Sequence, residues 1–247
     1  MSRIKRVVYR LLSFDNYLRL MQRGYFFAYR AGLLKRNPEY ACHYYVRNLI
    51  KPGDVIIDIG ANLGYYSIPF ARWTGSTGKV LAVEPLTVYN KIFNEKAGKY
   101  PNITLYPYAL GTEEKDVEMV SSPQVGYYRT GLPHVYDPER DGDRDTQEFK
   151  FTAKMMPPSL LFQDLKRIDY IKCDIEGFEL IVLSEMKELI ARHRPILQVE
   201  VWEENEAPLL KLFNEMGYGA YKVCQNQLVS YSKENTALQG DFIFLPK

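Results

Sequence analysis

One short stretch concentrates the ionisable groups with chemical potential: IDYIKCDIEGFEL, from Ile168. It carries Lys172, Asp174, Glu176 and Glu179 around Gly177. Side chains alternate along a strand, so Lys172 and Asp174 share one face while Cys173 turns away. Glu176 then falls in the turn that leads into a helix, where Gly177 permits a sharp bend. An ammonium and two carboxylates at the end of a strand can bind a hydroxyl, polarise it and remove its proton. The alternative is a buried ion-pair cluster that only orders the turn, since isolated charges are costly to bury. Glu200, in the run PILQVEV, lies near the end of the following strand and can join the cluster. With Asp174 and Glu176 it would offer oxygen ligands to Mg²⁺, but no spacing rule demands a metal and none is expected.

These residues need a scaffold that brings strand ends together. From Lys51 onward, short apolar runs alternate with helix-sized segments. The runs begin at Val55, Lys79, Ile103, Ile168, Pro195, Tyr218 and Asp241, and the helical segments lie around 64–72, 88–98, 178–192 and 205–216. Near-continuous aliphatic strands are covered on both faces, as in a parallel sheet, and the βαβ alternation predicts a doubly wound α/β fold. The last two runs are predicted to pair as an antiparallel hairpin at the sheet edge.

Ligands of such sheets bind beside the first βα turn. Here that turn is DIGANLG, from Asp58 to Gly64. Its G-x-x-x-G spacing lacks the G-x-G-x-x-G that lets backbone amides approach a pyrophosphate. Glu84 follows about 24 residues after Gly60, at the tip of the second strand, where a carboxylate can accept both hydroxyls of a ribose. Ribose recognition without pyrophosphate recognition points to S-adenosylmethionine (SAM) rather than NAD. A glycine turn needed only for close packing is the other reading.

Two further segments extend the pattern: YPYALG, from Tyr106, ends the third strand, and K-x-D-x-E-G-x-E closes the fourth. With DIGANLGYYS and VEP, these segments resemble the FkbM family of SAM-dependent methyltransferases across roughly residues 50–247. The resemblance implies a mostly parallel, seven-stranded class I methyltransferase sheet, SAM as cofactor, and a hydroxyl acceptor on a sugar, glycan or related natural product. It further implies that Asp58, Gly60, Asn62 and Gly64 line the methionine and ribose side, Glu84 the ribose, and Ala109 and Leu110 the adenine rim. Lys172, Asp174 and Glu176 are the implied catalytic residues.

Residues 1–49 read as a basic helical extension and 50–247 as the methyltransferase domain. The first fifty residues hold ten Lys/Arg against Asp15 and Glu39, a net +8, while the rest carries 22 basic and 28 acidic residues, a net −6. Ile4, Val7, Val8, Leu11 and Leu12 recur at helical spacing among Arg3, Lys5, Arg6 and Arg10. Residues 1–30 would therefore lie on an anionic membrane, meet a partner, or pack over the catalytic cleft. The acidic body argues against nucleic acid. Residues 121–148, rich in Pro, Gly and charge, interrupt the domain and are predicted to form a substrate-facing lid or a mobile loop. His134 within it is a candidate base, whereas His43 and His193 are expected at the surface or in packing. Three scattered cysteines fit a reducing compartment. Arg10 interrupts any leader-like apolar core, and no run spans a bilayer, so a cytoplasmic location is expected. Two rivals stand beside this reading: an NAD-dependent oxidoreductase or epimerase, and a non-catalytic SAM-binding scaffold.

Overall fold

The computed structural model describes residues 2–121, 126–232 and 241–247. Part of the predicted insertion (122–125) and part of the last connector (233–240) lie outside the described residues. The chain opens with helices α1 (Ser2–Leu11), α2 (Phe14–Arg30) and α3 (Ala41–Tyr45). Next come β1 (Val55–Ile59), α4 (Ser67–Thr74), β2 (Lys79–Val83), α5 (Thr87–Ala97), β3 (Ile103–Tyr106), β4 (Tyr108–Leu110) and β5 (Lys115–Ser121). The insertion contributes β6 (His134–Val135) and α6 (Pro138–Asp141), and β7 (Phe149–Met156) and α7 (Pro158–Leu161) follow. The remainder is β8 (Tyr170–Cys173), α8 (Glu179–Glu185), α9 (Lys187–His193), β9 (Ile196–Val199), α10 (Glu203–Glu215), β10 (Tyr218–Cys224), β11 (Gln227–Ser230) and β12 (Phe242–Pro246).

The main sheet has the order β11-β10-β12-β9-β8-β1-β2-β3. Strands β3, β2, β1, β8 and β9 run parallel. Strands β1, β2, β8 and β9 are buried almost throughout because helices cover both faces, whereas β3, at the edge, has no fully buried residue. The predicted pairing of the last two apolar runs holds, with β10 antiparallel to β12. The sheet has eight strands rather than seven, because the connector itself supplies β11 as a hairpin with β10. That strand is only half-buried, so it shows no apolar run.

A second, four-stranded sheet, β4-β7-β5-β6, stands beside the first. The YPYAL run splits at Pro107, which has no N–H to continue a ladder. Ala109 and Leu110 thereby move from the end of the third strand into this second sheet.

The N-terminal segment packs on the catalytic body. Tyr17, Leu18, Gln22 and Phe26 form the buried face of α2. Gln22 Nε2 donates to the carbonyls of Leu63 (2.8 Å) and Ile92 (3.2 Å), which stitches the helix to the first βα turn and to α5. Arg19 pairs with Glu95 at 2.6 Å, and Lys91 pairs with Asp15. Among the described residues no helix is long and apolar enough to cross a membrane.

Candidate active site

A cavity of about 680 Å³ opens at the C-terminal ends of β1, β2 and β8. That size suits a cofactor or a drug-sized ligand. Its walls come from four directions: the first βα turn, the tip of β2, the second sheet with the insertion, and the N-terminal helices.

The turn after β1 requires glycine at one point above all. Gly60 has φ +76°, and a Cβ there would lie 1.9 Å from the Asp174 carbonyl oxygen. The first and fourth βα junctions therefore touch backbone to backbone, and only glycine allows it. Gly64, also at positive φ, has a different duty: its absent Cβ leaves room for Ile68 and Phe93. It does not border the cavity, and neither does Asp58. Asp58 is fully buried, accepts from Ser67 Oγ at 2.5 Å and faces Lys172 Nζ at 3.7 Å. Both residues shape the site from beneath; they do not line it as the motif implied.

Asn62, Gly60, Glu84, Ala109 and Leu110 do border the cavity. Glu84 is 5% exposed. Its two oxygens accept from the backbone N–H of Asn62 (2.9 Å) and Leu86 (2.9 Å), which fixes the carboxylate at the wall. Each oxygen retains a lone pair for a ribose hydroxyl. The residues present therefore fit SAM: a diol acceptor at Glu84, an apolar rim at Ala109 and Leu110, and close backbone around Gly60.

Burial pushes the Glu84 carboxyl up to about 7. Donor hydroxyls favour the ionised form, so bound cofactor should lower this value and release a proton. Affinity for SAM or S-adenosylhomocysteine is therefore expected to decline as pH falls below about 7 and to level off above it. Glu84→Ala should weaken binding by about 10- to 150-fold, for two hydrogen bonds to a charged group. Calorimetry in buffers of different ionisation heat checks both; pH-independent affinity, or an unweakened variant, would remove Glu84 from the site.

The fourth junction gathers the rest. Lys172 is 1% exposed and lies 3.0 Å from Asp174. Its Nζ also donates to Gly60 O at 3.3 Å. Burial favours loss of its proton, yet Asp174 and Asp58 outweigh that and hold its pKa above the ordinary lysine range. Lys172 is thus a fixed cation, not a base.

Glu176 occupies the left-handed region at φ 58°, an arrangement that costs a non-glycine residue about 1–3 kcal/mol. Three contacts impose it. Arg140 donates to Glu176 O at 2.6 Å, and the Glu179 carboxylate accepts from Ile175 N (2.8 Å) and Gly177 N (3.1 Å). Glu179 is fully buried, so the last acid of K-x-D-x-E-G-x-E ties the turn together rather than facing a ligand.

Burial, reinforced by Asp174 and Glu179, pushes the Glu176 carboxyl up to about 8. Glu200 is pushed up to about 10 by burial and then by Asp174 and Glu176. Oxygens of Asp174, Glu176 and Glu200 lie within 4.8 Å of one another. That spacing would suit a divalent cation, or protons retained on Glu176 and Glu200. The Lys172 ammonium at 3.0 Å from Asp174 already supplies positive charge, which favours the second description.

The insertion reaches the cavity through Tyr127, Tyr128, Arg129, Thr130 and Pro133. Asn62 Nδ2 donates to Thr130 O at 2.6 Å, and Tyr17 Oη donates to Tyr128 O at 2.7 Å. His134 is no base. Its Nδ1 bonds Leu132 O and its Nε2 bonds Asp141, each at 2.8 Å, so the ring braces the insertion. His43, expected at the surface or in packing, instead borders the cavity with Tyr25, Tyr40, Tyr65 and Tyr66. Sequence reasoning missed these residues as site residues, although the aromatic density of LRLMQRGYFFAYR, from Leu18, was a usable signal.

Comparison with known proteins follows the same lines. The model described as Methyltransferase FkbM domain matches residues 58–219. Among solved structures, the chain is similar to methyltransferase FkbM from Methylobacillus flagellatus, with a TM-score of 0.50 at 16% identity over 82% of this chain and 49% of that one. It is also similar to a SAM-dependent O-methyltransferase from Thermotoga maritima (TM-score 0.45, 16% identity, 83% and 63%). Fibrillarin from Aeropyrum pernix with natively bound SAM is a third (TM-score 0.44, 9% identity, 79% and 67%). The chain thus spans about half the length of the first of these and 63% of the second. Comparison with curated proteins returns no match. With both diagnostic junctions inside a match that spans most of the chain, this protein belongs to the FkbM family of SAM-dependent methyltransferases.

Proposed function

We propose that the protein transfers a methyl group from SAM to a hydroxyl of a sugar, glycan or related natural product. The observation that carries this is the cluster at the fourth junction, where a fixed ammonium and carboxyls of raised pKa border the cavity that fits the donor. When bound, SAM supplies an electrophilic methyl group on a sulfonium. Lys172 and Asp174 orient the hydroxyl, with Lys172 kept cationic by Asp58 beneath it. Glu176 takes the proton, because a carboxyl near 8 combines basicity with substantial ionisation at working pH. Gly60 and the insertion hold donor and acceptor against each other and keep water out. Against the NAD-dependent rival stands the G-x-x-x-G turn, and against a scaffold the intact acid–base cluster. Incubation with methyl-labelled SAM and neutral glycan fractions, read by mass spectrometry, tests the reading; label found only in protein or nucleic acid would refute it.

The N-terminal helices suit an anionic membrane surface as partner. Leu11 is 77% exposed, Phe27 70% and Val7 56%. On α2 the outward positions Leu20, Arg23, Phe27 and Arg30 fall on one stripe, while Met21, Gly24, Tyr25 and Ala28 border the cavity. One helix would thus meet headgroups on one side and acceptor on the other. Removal of residues 1–12 takes away Arg3, Lys5, Arg6 and Arg10. At about 1 kcal/mol per basic residue near an anionic surface, partition onto anionic vesicles should drop at least tenfold. S-adenosylhomocysteine affinity should stay unchanged. Equal co-sedimentation of both forms would leave the helices with a packing role alone.

A further inference from the structure

Glu179 secures the N–H side of the turn that carries Glu176, but the carbonyl side depends on other elements. Glu176 and Gly177 both have positive φ, 58° and 104°, and the carbonyl of each accepts from a distant side chain. Arg140, in α6 of the insertion, donates to Glu176 O at 2.6 Å. Asn205, in the first turn of α10, donates through Nδ2 to Gly177 O at 3.1 Å. Trp202, just before α10, completes the arrangement. The Arg140 guanidinium lies over its ring, 4.4 Å from the centroid. A Cβ at Gly177 would stand 3.2 Å from Arg140 Nη1 and 3.6 Å from the Trp202 ring, so both groups pack directly on the turn.

The short helix α6 is braced to present Arg140. The Asp141 carboxylate bonds His134 Nε2 (2.8 Å) and accepts from Asp137 N (2.9 Å), while Asp137 caps the Glu139 N–H at 2.9 Å. His134 belongs to β6, which pairs with β5 of the second sheet. A line of contacts therefore runs from that sheet through His134, Asp141 and Arg140 to the backbone of Glu176.

Resting on the reading of Glu176 as the base, we infer that Arg140 and Trp202 are positioning residues. They clasp the insertion to the start of α10 across the Glu176–Gly177 turn, and the base is assembled only while that clasp is closed. Arginine suits the task because its planar head can stack on an indole and still donate in its own plane. Neither residue borders the cavity, so each acts through Glu176 rather than on a ligand.

A role through charge alone has the opposite signature. Burial is the largest influence on the Glu176 carboxyl, followed by Asp174 and Glu179, with Arg140 and Arg129 acting against them; Glu200 lies in the same cluster. Loss of the Arg140 charge by itself would raise the Glu176 pKa further. Loss of the clasp lets the turn return to an ordinary backbone and the carboxyl reach water, which removes the burial and lowers the pKa.

Protein labelled with ¹³C at the glutamate carboxyls is titrated by NMR, the Glu176 signal being the one absent from Glu176→Gln. In Arg140→Met, which keeps an apolar stem over Trp202, the Glu176 pKa should fall by at least about one pH unit. Trp202→Leu, which leaves the charge and removes the stack, should shift it the same way. Amide exchange at Gly177 should quicken at least about tenfold in Arg140→Met, the equivalent of one hydrogen bond from a charged donor. S-adenosylhomocysteine affinity should stay within about twofold in both variants, as for sites that share no partner. A Glu176 pKa that rises or holds in either variant overturns the inference, as does unchanged exchange at Gly177. If the pKa falls as expected but Glu176→Gln methylates a hydroxyl at the wild-type rate, the clasp stands and the assignment of the base fails.

Discussion

Lys172→Met should lower stability by about 3–5 kcal/mol, the usual cost of leaving a buried charge without its partner. Lys172 lies between two carboxylates, Asp58 at 3.7 Å and Asp174 at 3.0 Å. Asp174 is about one-third exposed and can turn to water, but Asp58 is fully buried. Without the ammonium, Asp58 keeps only Ser67 as a partner. A domain of this size has about 5–15 kcal/mol in total, so the variant should sit near the edge of folding. Urea denaturation with an unchanged slope checks the figure. The double variant Asp58→Asn/Lys172→Met, which removes both charges, should recover more than half of the loss. If Lys172→Met alone costs under 1 kcal/mol, the buried triad contributes little. Activity lost in this variant reports folding as well as chemistry, which makes Glu176 the better probe of mechanism.

Glu176→Gln should lower turnover by about 10²–10⁴-fold, the usual contribution of a positioned base. The amide keeps the shape of the turn, because the left-handed backbone is held by Arg140 and Glu179 rather than by the Glu176 carboxylate. The wild-type rate should climb as pH rises toward about 8 and flatten above it, since the base form accumulates only as the raised carboxyl ionises. The variant should lose that slope while binding S-adenosylhomocysteine normally. Asp174→Asn should cost at least about tenfold by loosening the hydroxyl from Lys172. A Glu176→Gln enzyme with the wild-type pH dependence would assign the proton to another group.

The parallel half of the fold was legible because β1, β2, β8 and β9 are buried on both faces and so appear as apolar runs. The second sheet was missed for the opposite reason. In β7, Ala153 and Met155 alternate with exposed Thr152 and Lys154, and in β5 charged Lys115, Asp116 and Glu118 break up the apolar residues, so no run marks either strand. Within the site, K-x-D-x-E-G-x-E gave the residues but not their division of labour. Asp58 and Asp174 make Lys172 a fixed cation, and burial against the turn makes Glu179 a tie. Gly60 was read as a turn residue, but the neighbour that demands glycine is Asp174, 114 positions away in the chain. The same holds for the cavity wall formed by the N-terminal segment. Tyr25 borders the same cavity as Lys172 because Gln22 anchors α2 to the first βα turn, and no local spacing encodes that.

The most direct test of the account is the chemical identity of the methylated atom. Protein incubated with ¹³C-methyl SAM and a neutral glycan extract should yield a new ¹³C–¹H correlation in the methoxyl region, coupled through the oxygen to a sugar ring proton. Glu176→Gln should suppress the signal by at least about a hundredfold. A label that appears instead as an N-methyl or C-methyl resonance would contradict the assignment of a hydroxyl acceptor and of Glu176 as its base.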